Sequence, residues 1–207
     1  MRKALEDAFG TAGAIDSYEM SGKTDWQIVT DLMVQAGIPT ADVEEKLPEI
    51  FAVLAQYMTL TAPTMGMEKL PGVEELLKRL SSHPEFLLGL VTGNVREAVP
   101  PKLRSAGIDP SMFPFGAFGS EYPDRNALPD LALSRAEEIL SVSIPKDQAL
   151  IIGDTPRDIA CARHTGVKVL CVATGKFSYA TLAENQPDYL LVDLSDIDLV
   201  MSIFQEF

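Results

Sequence analysis

From Leu70 onward the sequence alternates short, unbroken apolar runs with stretches of helical periodicity, and few folds accept that order. Residues 86–91, 149–152, 167–172 and 189–192 predict strands, with a weaker one at 113–118. Helical spacing fills the gaps: Pro71-Gly72 opens a helix through Leu80, and further helices are expected at 126–140, 156–164 and 195–204. A strand that is apolar at every position needs cover on both faces, and intervening helices supply it. The order therefore predicts an α/β fold, a Rossmann-like parallel sheet layered with helices. Ligands of such sheets bind beyond the carboxyl ends of the strands.

Residues 1–66 read differently, as helix throughout. Ala4, Leu5, Ala8 and Phe9 have helical spacing. A second helix is expected at 25–36, with Thr24 as its cap, Gly37 at its end and Ile28, Val29, Leu32 and Met33 on one face. A third is expected at 40–60, interrupted or kinked near Pro48, and 61–67 reads as a linker. Two domains follow from this change of pattern: a helical one at 1–66 and an α/β core at 67–207.

Charge and cysteine usage narrow the function classes. The formal net charge of −13 argues against general nucleic-acid binding, which needs clustered Lys and Arg. The two cysteines, Cys161 and Cys171, form no CxxC pair and are too few for a disulfide scaffold, so a cytoplasmic setting is expected. No apolar run reaches the ~18 residues of a membrane span, and the first residues lack the apolar core of a signal peptide.

Three strand ends carry chemistry. At Thr92-Gly93-Asn94 a hydroxyl and two backbone N–H groups can hold a phosphate oxygen, although Asn94 is equally suited to cap the next helix. At Gly153-Asp154-Thr155-Pro156-Arg157-Asp158 two carboxylates lie one helical turn apart. They repel unless a cation sits between them, and hard oxygen ligands suit Mg²⁺. The structural alternative makes Asp154 a helix cap and Asp158 a partner of the helix dipole. Between these, Arg125 precedes a helix and could neutralise a carboxylate or phosphate, or stand as an exposed loop arginine. Pro100-Pro101 means that the helix after Asn94 is kinked or starts afresh.

In this order the residues resemble the haloacid-dehalogenase superfamily, over roughly residues 5–195. Thr92 matches the Ser/Thr that ends its second-motif strand. Arg125 matches the Lys or Arg of the third motif, and Asp154 with Asp158 the Gly-Asp and following acid of the fourth. Gly22-Lys23-Thr24-Asp25 is similar to the cap segment of phosphoglycolate-phosphatase-like members. The resemblance implies Mg²⁺-dependent hydrolysis of a small phosphorylated metabolite, phosphoglycolate-like. Asp154 would bind Mg²⁺ directly and Asp158 would orient Asp154 or a metal-bound water. Thr92, with the backbone of Gly93 and Asn94, would hold phosphoryl oxygens, and Arg125 would neutralise charge. Lys23 would contact the distal anion or be merely structural. Dehalogenation needs no Mg²⁺ site and fits the acid pair poorly, whereas a phosphosugar mutase stays open.

The family's first motif, an apolar strand ending in Asp-x-Asp-x-Thr, carries the nucleophile and is not found. Asp7-Ala8-Phe9-Gly10-Thr11 has Phe9 where the second acid belongs and no apolar strand before it. Ser21-Gly22-Lys23-Thr24 lacks the earlier glycine of a nucleotide-binding phosphate loop. Without the motif the chain is expected to be inactive as given, or a non-catalytic phosphate-binding protein. A missing central strand that buries about five apolar side chains forfeits on the order of 8–15 kcal/mol. That rivals a domain's whole stability of about 5–15 kcal/mol. The expectation is a natural start upstream of Met1.

Overall fold

The computed structural model describes residues 1–207. In chain order its elements are α1 (Arg2–Phe9), α2 (Asp25–Gln35), α3 (Thr40–Thr61), α4 (Val73–Ser81), β1 (Gly89–Thr92), α5 (Val99–Ser105), β2 (Phe115–Phe118), α6 (Leu128–Leu140), β3 (Leu150–Gly153), α7 (Pro156–Thr165), β4 (Lys168–Val172), α8 (Tyr179–Glu184), β5 (Tyr189–Leu191) and α9 (Ile197–Phe204). Single 3-10 turns precede α5, β2, α6 and β3. The α/β class expected from the sequence is what the chain adopts, with a helical N-terminal region. No strand precedes Gly89. No helix is long and apolar enough to cross a membrane.

Packing divides the chain into two units. The first comprises Met1–Met67, Val91–Pro110 and Ala117–Arg125; the second comprises Glu68–Leu90, Ser111–Gly116 and Asn126–Phe207. The helical stretch read from the sequence thus shares its unit with two segments from beyond residue 66. The division passes through β1 and β2, which pair as a two-stranded sheet.

In the first unit α1, α2 and α3 surround one apolar cluster. Leu5, Val29, Leu32, Met33, Val43 and Ile50 are almost fully buried in it. Trp26 meets Phe51 edge-on, with ring centroids 6.3 Å apart, a favoured aromatic geometry. Thr24 caps α2 by accepting the N–H of Gln27 at 3.0 Å. Pro48 lies inside α3, which runs on without the expected interruption. Pro100 and Pro101 fall in the first turn of α5, where their missing N–H groups go unneeded, so the helix starts afresh there.

The second unit is built on the sheet β3-β4-β5, parallel at both pairings. Central β4 points alternate side chains to opposite faces, as any strand must. Leu170 and Val172 pack against α4 and α9 through Leu76, Leu80, Val200, Ile203 and Phe204. Val169 and Cys171 pack against α7 and α8 through Ile159, Ala162 and Leu182. Both faces are covered, which explains why the strand reads as an unbroken apolar run.

One expectation needs correction. The sequence reading gathered all strand ends on one sheet, but β1 and β3 belong to separate hydrogen-bonded sheets, each as a terminal strand. A ladder continues only through a neighbour about 4.8 Å away, and no strand of the chain joins β1 to β3.

The fully buried Leu170 should be among the costliest truncations. Leu170→Ala is expected to lower unfolding free energy by about 2–5 kcal/mol in urea denaturation, and a loss below about 1 kcal/mol would contradict the two-faced packing of β4.

Candidate functional site

The carboxyl end of β1 lies in the first unit, and the start of α2 holds it. The first N–H groups of any helix lack intrahelical acceptors. Here Asp25 N–H donates to the Gly93 carbonyl at 2.6 Å and Trp26 N–H to the Gly119 carbonyl at 3.1 Å. The Asp25 carboxylate in turn accepts the N–H of Val95 at 2.8 Å, and Gly119 N–H reaches the Asn94 carbonyl at 2.8 Å. The fully buried Thr24 hydroxyl donates to the Pro123 carbonyl at 2.7 Å. Such close backbone approach excludes a side chain at Gly93. A Cβ there would collide with the Lys23 carbonyl and stand 3.2 Å from Nη1 of Arg125. Thr92, Gly93, Asn94 and Arg125 are therefore neighbours in this unit.

Thr92 Oγ1 accepts from the backbone N–H of Asn94 at 3.2 Å and from its side-chain Nδ2 at 2.9 Å. The Asn94 amide oxygen accepts from Lys102. Burial pushes the Lys102 ammonium below its ordinary pKa of 10.5, with nearby Asp25 opposing the shift. Burial likewise raises Asp25 above 3.8, against the pull of the Val95 N–H, Lys102 and the Met1 amino group. The sequence reading named Asp25 only as part of the cap-like segment at 22–25 and did not name Lys102. Both lie on helices, where Lys and Asp ordinarily face water, and 77 positions separate them (102 − 25).

Lys23 lies in the same unit. Its ammonium pairs with Asp31 at 3.1 Å, donates to the Tyr18 hydroxyl and sits 4.0 Å from the Tyr18 ring centroid. These contacts give Lys23 a structural role, the alternative to the anion contact that its sequence position left open. Asp7, the near miss for a nucleophile, lies in the last turn of α1, which Gly10 ends in the left-handed conformation.

In the second unit β3 ends at Gly153, and α7 begins after Thr155. Thr155 and Asp158 form a reciprocal capping box. One oxygen of Asp158, Oδ2, accepts from the Asp154 N–H at 3.2 Å, the Thr155 N–H at 3.0 Å and the Thr155 hydroxyl at 2.8 Å. Asp158 is 6% exposed, so it holds the turn that carries Asp154. The Asp154 carboxylate lies against Gly175, where a Cβ would overlap its Oδ2. The Thr174 hydroxyl, one residue earlier, is buried without a hydrogen-bond partner. Cys171 is buried, and desolvation followed by the charges of Asp158 and Asp154 pushes its thiol up to about 12. It is no thiolate nucleophile at neutral pH.

No three acidic, histidine or cysteine side chains gather around a common point. That still fits Mg²⁺, which keeps several waters and takes only one or two protein carboxylates. Asp154 is the carboxylate suited to it, because Asp158 Oδ2 is occupied by three donors.

The chain resembles known proteins in sequence and in fold. Residues 126–197 match the family described as HAD-hydrolase-like. The chain is 28% identical over 166 residues to the phosphoglycolate phosphatase of Nitrosococcus oceani, covering 80% of this chain and 70% of that protein. It is 33% identical over 127 residues to the phosphoglycolate phosphatase of Rhodospirillum rubrum, covering 60% of this chain and 50% of that protein. A crystal structure of a predicted phosphoglycolate phosphatase from Haemophilus somnus superposes with a TM-score of 0.65 at 21% identity, over 97% of this chain and 88% of that one. The chain is HAD-like in fold and in sequence. Within that class it is a remote relative of phosphoglycolate phosphatases.

Two outcomes follow. Asp158→Ala leaves three donors without their acceptor and should cost about 1–3 kcal/mol of stability, read by urea denaturation. The raised Asp25 contributes stability that is full below its unfolded value of 3.8 and is lost as pH rises through its higher folded value. Melting temperature should therefore fall as pH rises through that window, and Asp25→Asn should flatten this part of the profile. An unchanged slope in the variant would exclude Asp25 as its source.

Proposed function

We propose that the chain is a HAD-like, Mg²⁺-linked phosphomonoester protein whose ligand is a small phosphorylated metabolite of the phosphoglycolate type. The observation that carries the reading is the Thr92-Gly93-Asn94 turn. Its hydroxyl has both lone pairs engaged by Asn94, which leaves the O–H to donate, and Arg125 stands against the same turn. A hydroxyl donor beside a guanidinium suits phosphoryl oxygens. Matches to two phosphoglycolate phosphatases support the substrate class. Both cysteines are free and buried, which fits a cytoplasmic setting.

In this reading Thr92 and the backbone of Gly93 and Asn94 orient the phosphoryl group, and Arg125 offsets its charge. Asp154 holds the metal, and Asp158 keeps the Asp154 turn in place. Bound Mg²⁺ would supply charge neutralisation between carboxylate and phosphate. Phosphoryl transfer relies largely on such positioning and electrostatics. The attacking carboxylate of the family's first motif has no counterpart before Gly89, where every element is helix or turn. That observation favours a second reading for the chain as given, a phosphate-binding protein without turnover.

Titration calorimetry with 2-phosphoglycolate tests the assignment. Mg²⁺ should tighten binding at least about fivefold, a modest charge-assisted gain. Asp154→Asn should abolish that gain, and Thr92→Val should weaken binding with or without metal. Equal Mg²⁺ response in Asp154→Asn would overturn the metal role. Release of phosphate from 2-phosphoglycolate by the wild type would rule out the reading without turnover.

A further inference from the structure

We propose that Lys102 is a positioning residue that makes Thr92 an obligate hydrogen-bond donor, acting through the side-chain amide of Asn94. The inference rests on the reading of Thr92 as a phosphate contact and adds residues to it that the family resemblance does not assign.

The argument is one of donors and acceptors. A threonine hydroxyl has one donor and two acceptor lone pairs. In Thr92 both lone pairs are occupied, by the backbone N–H of Asn94 at 3.2 Å and by its Nδ2 at 2.9 Å. The single proton is then the only group the hydroxyl can offer outward, and no group of the chain accepts it. Such a hydroxyl welcomes an acceptor, such as a phosphoryl oxygen, and gives nothing to a donor.

This arrangement depends on which way the Asn94 amide faces. An amide flipped by 180° would turn its oxygen to Thr92, take the hydroxyl proton for itself and silence the donor. Carbon-bound geometry alone does not forbid the flip, because oxygen and NH₂ are nearly the same shape. Lys102 forbids it. An ammonium carries donors only, so it donates to the amide oxygen and has nothing to offer the NH₂. Asn94 Oδ1 is the hydrogen-bond partner of the Lys102 ammonium, and no carboxylate ion-pairs with it. Its setting is half-buried, and the closest charge influence upon it is Asp25. Asp25 is itself held by the Val95 N–H at 2.8 Å. A lysine kept in a costly setting to face a neutral amide is well explained by the orientation it imposes.

A double-mutant cycle decides the matter. Orthophosphate affinity is measured by calorimetry on the full 207-residue chain as wild type, Lys102→Met, Thr92→Val and the double variant. The side-chain amide of Asn94 is followed by ¹⁵N NMR without phosphate, in the wild type and in Lys102→Met. Lys102→Met should weaken phosphate binding about tenfold, the value of one well-placed hydrogen bond to a charged acceptor. In the Thr92→Val background the same change should matter less than about twofold, since the hydroxyl it orients is gone. Lys102→Arg, which keeps the donors, should restore most of the affinity. The Asn94 amide should lose hydrogen-exchange protection in Lys102→Met. Equal weakening in both backgrounds would show that the ammonium acts as an independent charge and would overturn the proposal, as would an Asn94 amide indifferent to Lys102→Met. No phosphate binding by the wild type would instead overturn the reading of Thr92, and with it the purpose assigned to its hydroxyl, whatever the amide signal shows.

Discussion

The first turn of α2 needs acceptors that the helix itself cannot supply, and the carbonyls of Gly93 and Gly119 supply them. The rest of the first unit's chemistry depends on this contact. It draws two strand-end loops onto one helix start and leaves no room for a side chain at Gly93. It buries Asp25 beside Val95, which raises the carboxyl above its ordinary value because desolvation outweighs the hydrogen bond and the nearby positive charges. The Thr92 turn is thus held by a helix some 70 positions away in sequence (92 − 25 = 67), and its geometry is only as good as that long-range docking.

The second unit meets the same demand locally. Thr155 and Asp158 satisfy each other's backbone across one helical turn, and Asp158 also takes the Asp154 N–H. A capping box forms from nearby residues at little entropic cost, since no distant segment must be ordered to close it. The consequence is a division of labour between two acids of identical chemistry. Asp158 is buried and its Oδ2 bonded three times over, so it fixes the turn. Asp154 is carried by that turn, with its carboxylate against Gly175.

That contrast explains what was legible beforehand. Local devices could be read from the chain: the apolar run into Gly153-Asp154, the acid one turn on, Thr24 before an amphipathic helix, and prolines that restart α5. The unbroken apolar character of 167–172 followed from burial on both faces of β4. Non-local devices could not be read. Lys102 and Asp25 sit at helix positions whose ordinary use is solvation, and nothing in their spacing announces that the fold brings them to Asn94. The Lys23–Asp31 pair was hidden for the same reason, since it forms only once the loop before α2 is folded. The single sheet expected from alternating strands also failed, since periodicity locates strands but does not say which of them are neighbours.

The charge balance gives these contacts a direction. The chain carries a net charge of −13, so a bare phosphate meets a repulsive surface unless cations are placed locally. Of the cations near the Thr92 turn, Lys23 is neutralised by Asp31. Lys102 is not matched in this way: it faces an amide oxygen, and its pKa is lowered while that of Asp25 is raised. Neighbouring opposite charges ordinarily shift the other way. Burial therefore outweighs their mutual attraction, and both groups are held in charge states the interior penalises. In the reading proposed above Lys102 acts at one remove: its hydrogen bond to the Asn94 amide oxygen sets which way that amide faces, and the amide in turn sets what Thr92 can offer an anion. A donor hydroxyl alone would accept many polar ligands. In the proposed site the Arg125 guanidinium, which stands against the same turn, would add the preference for a negative charge that separates a phosphate from a sugar or an amide.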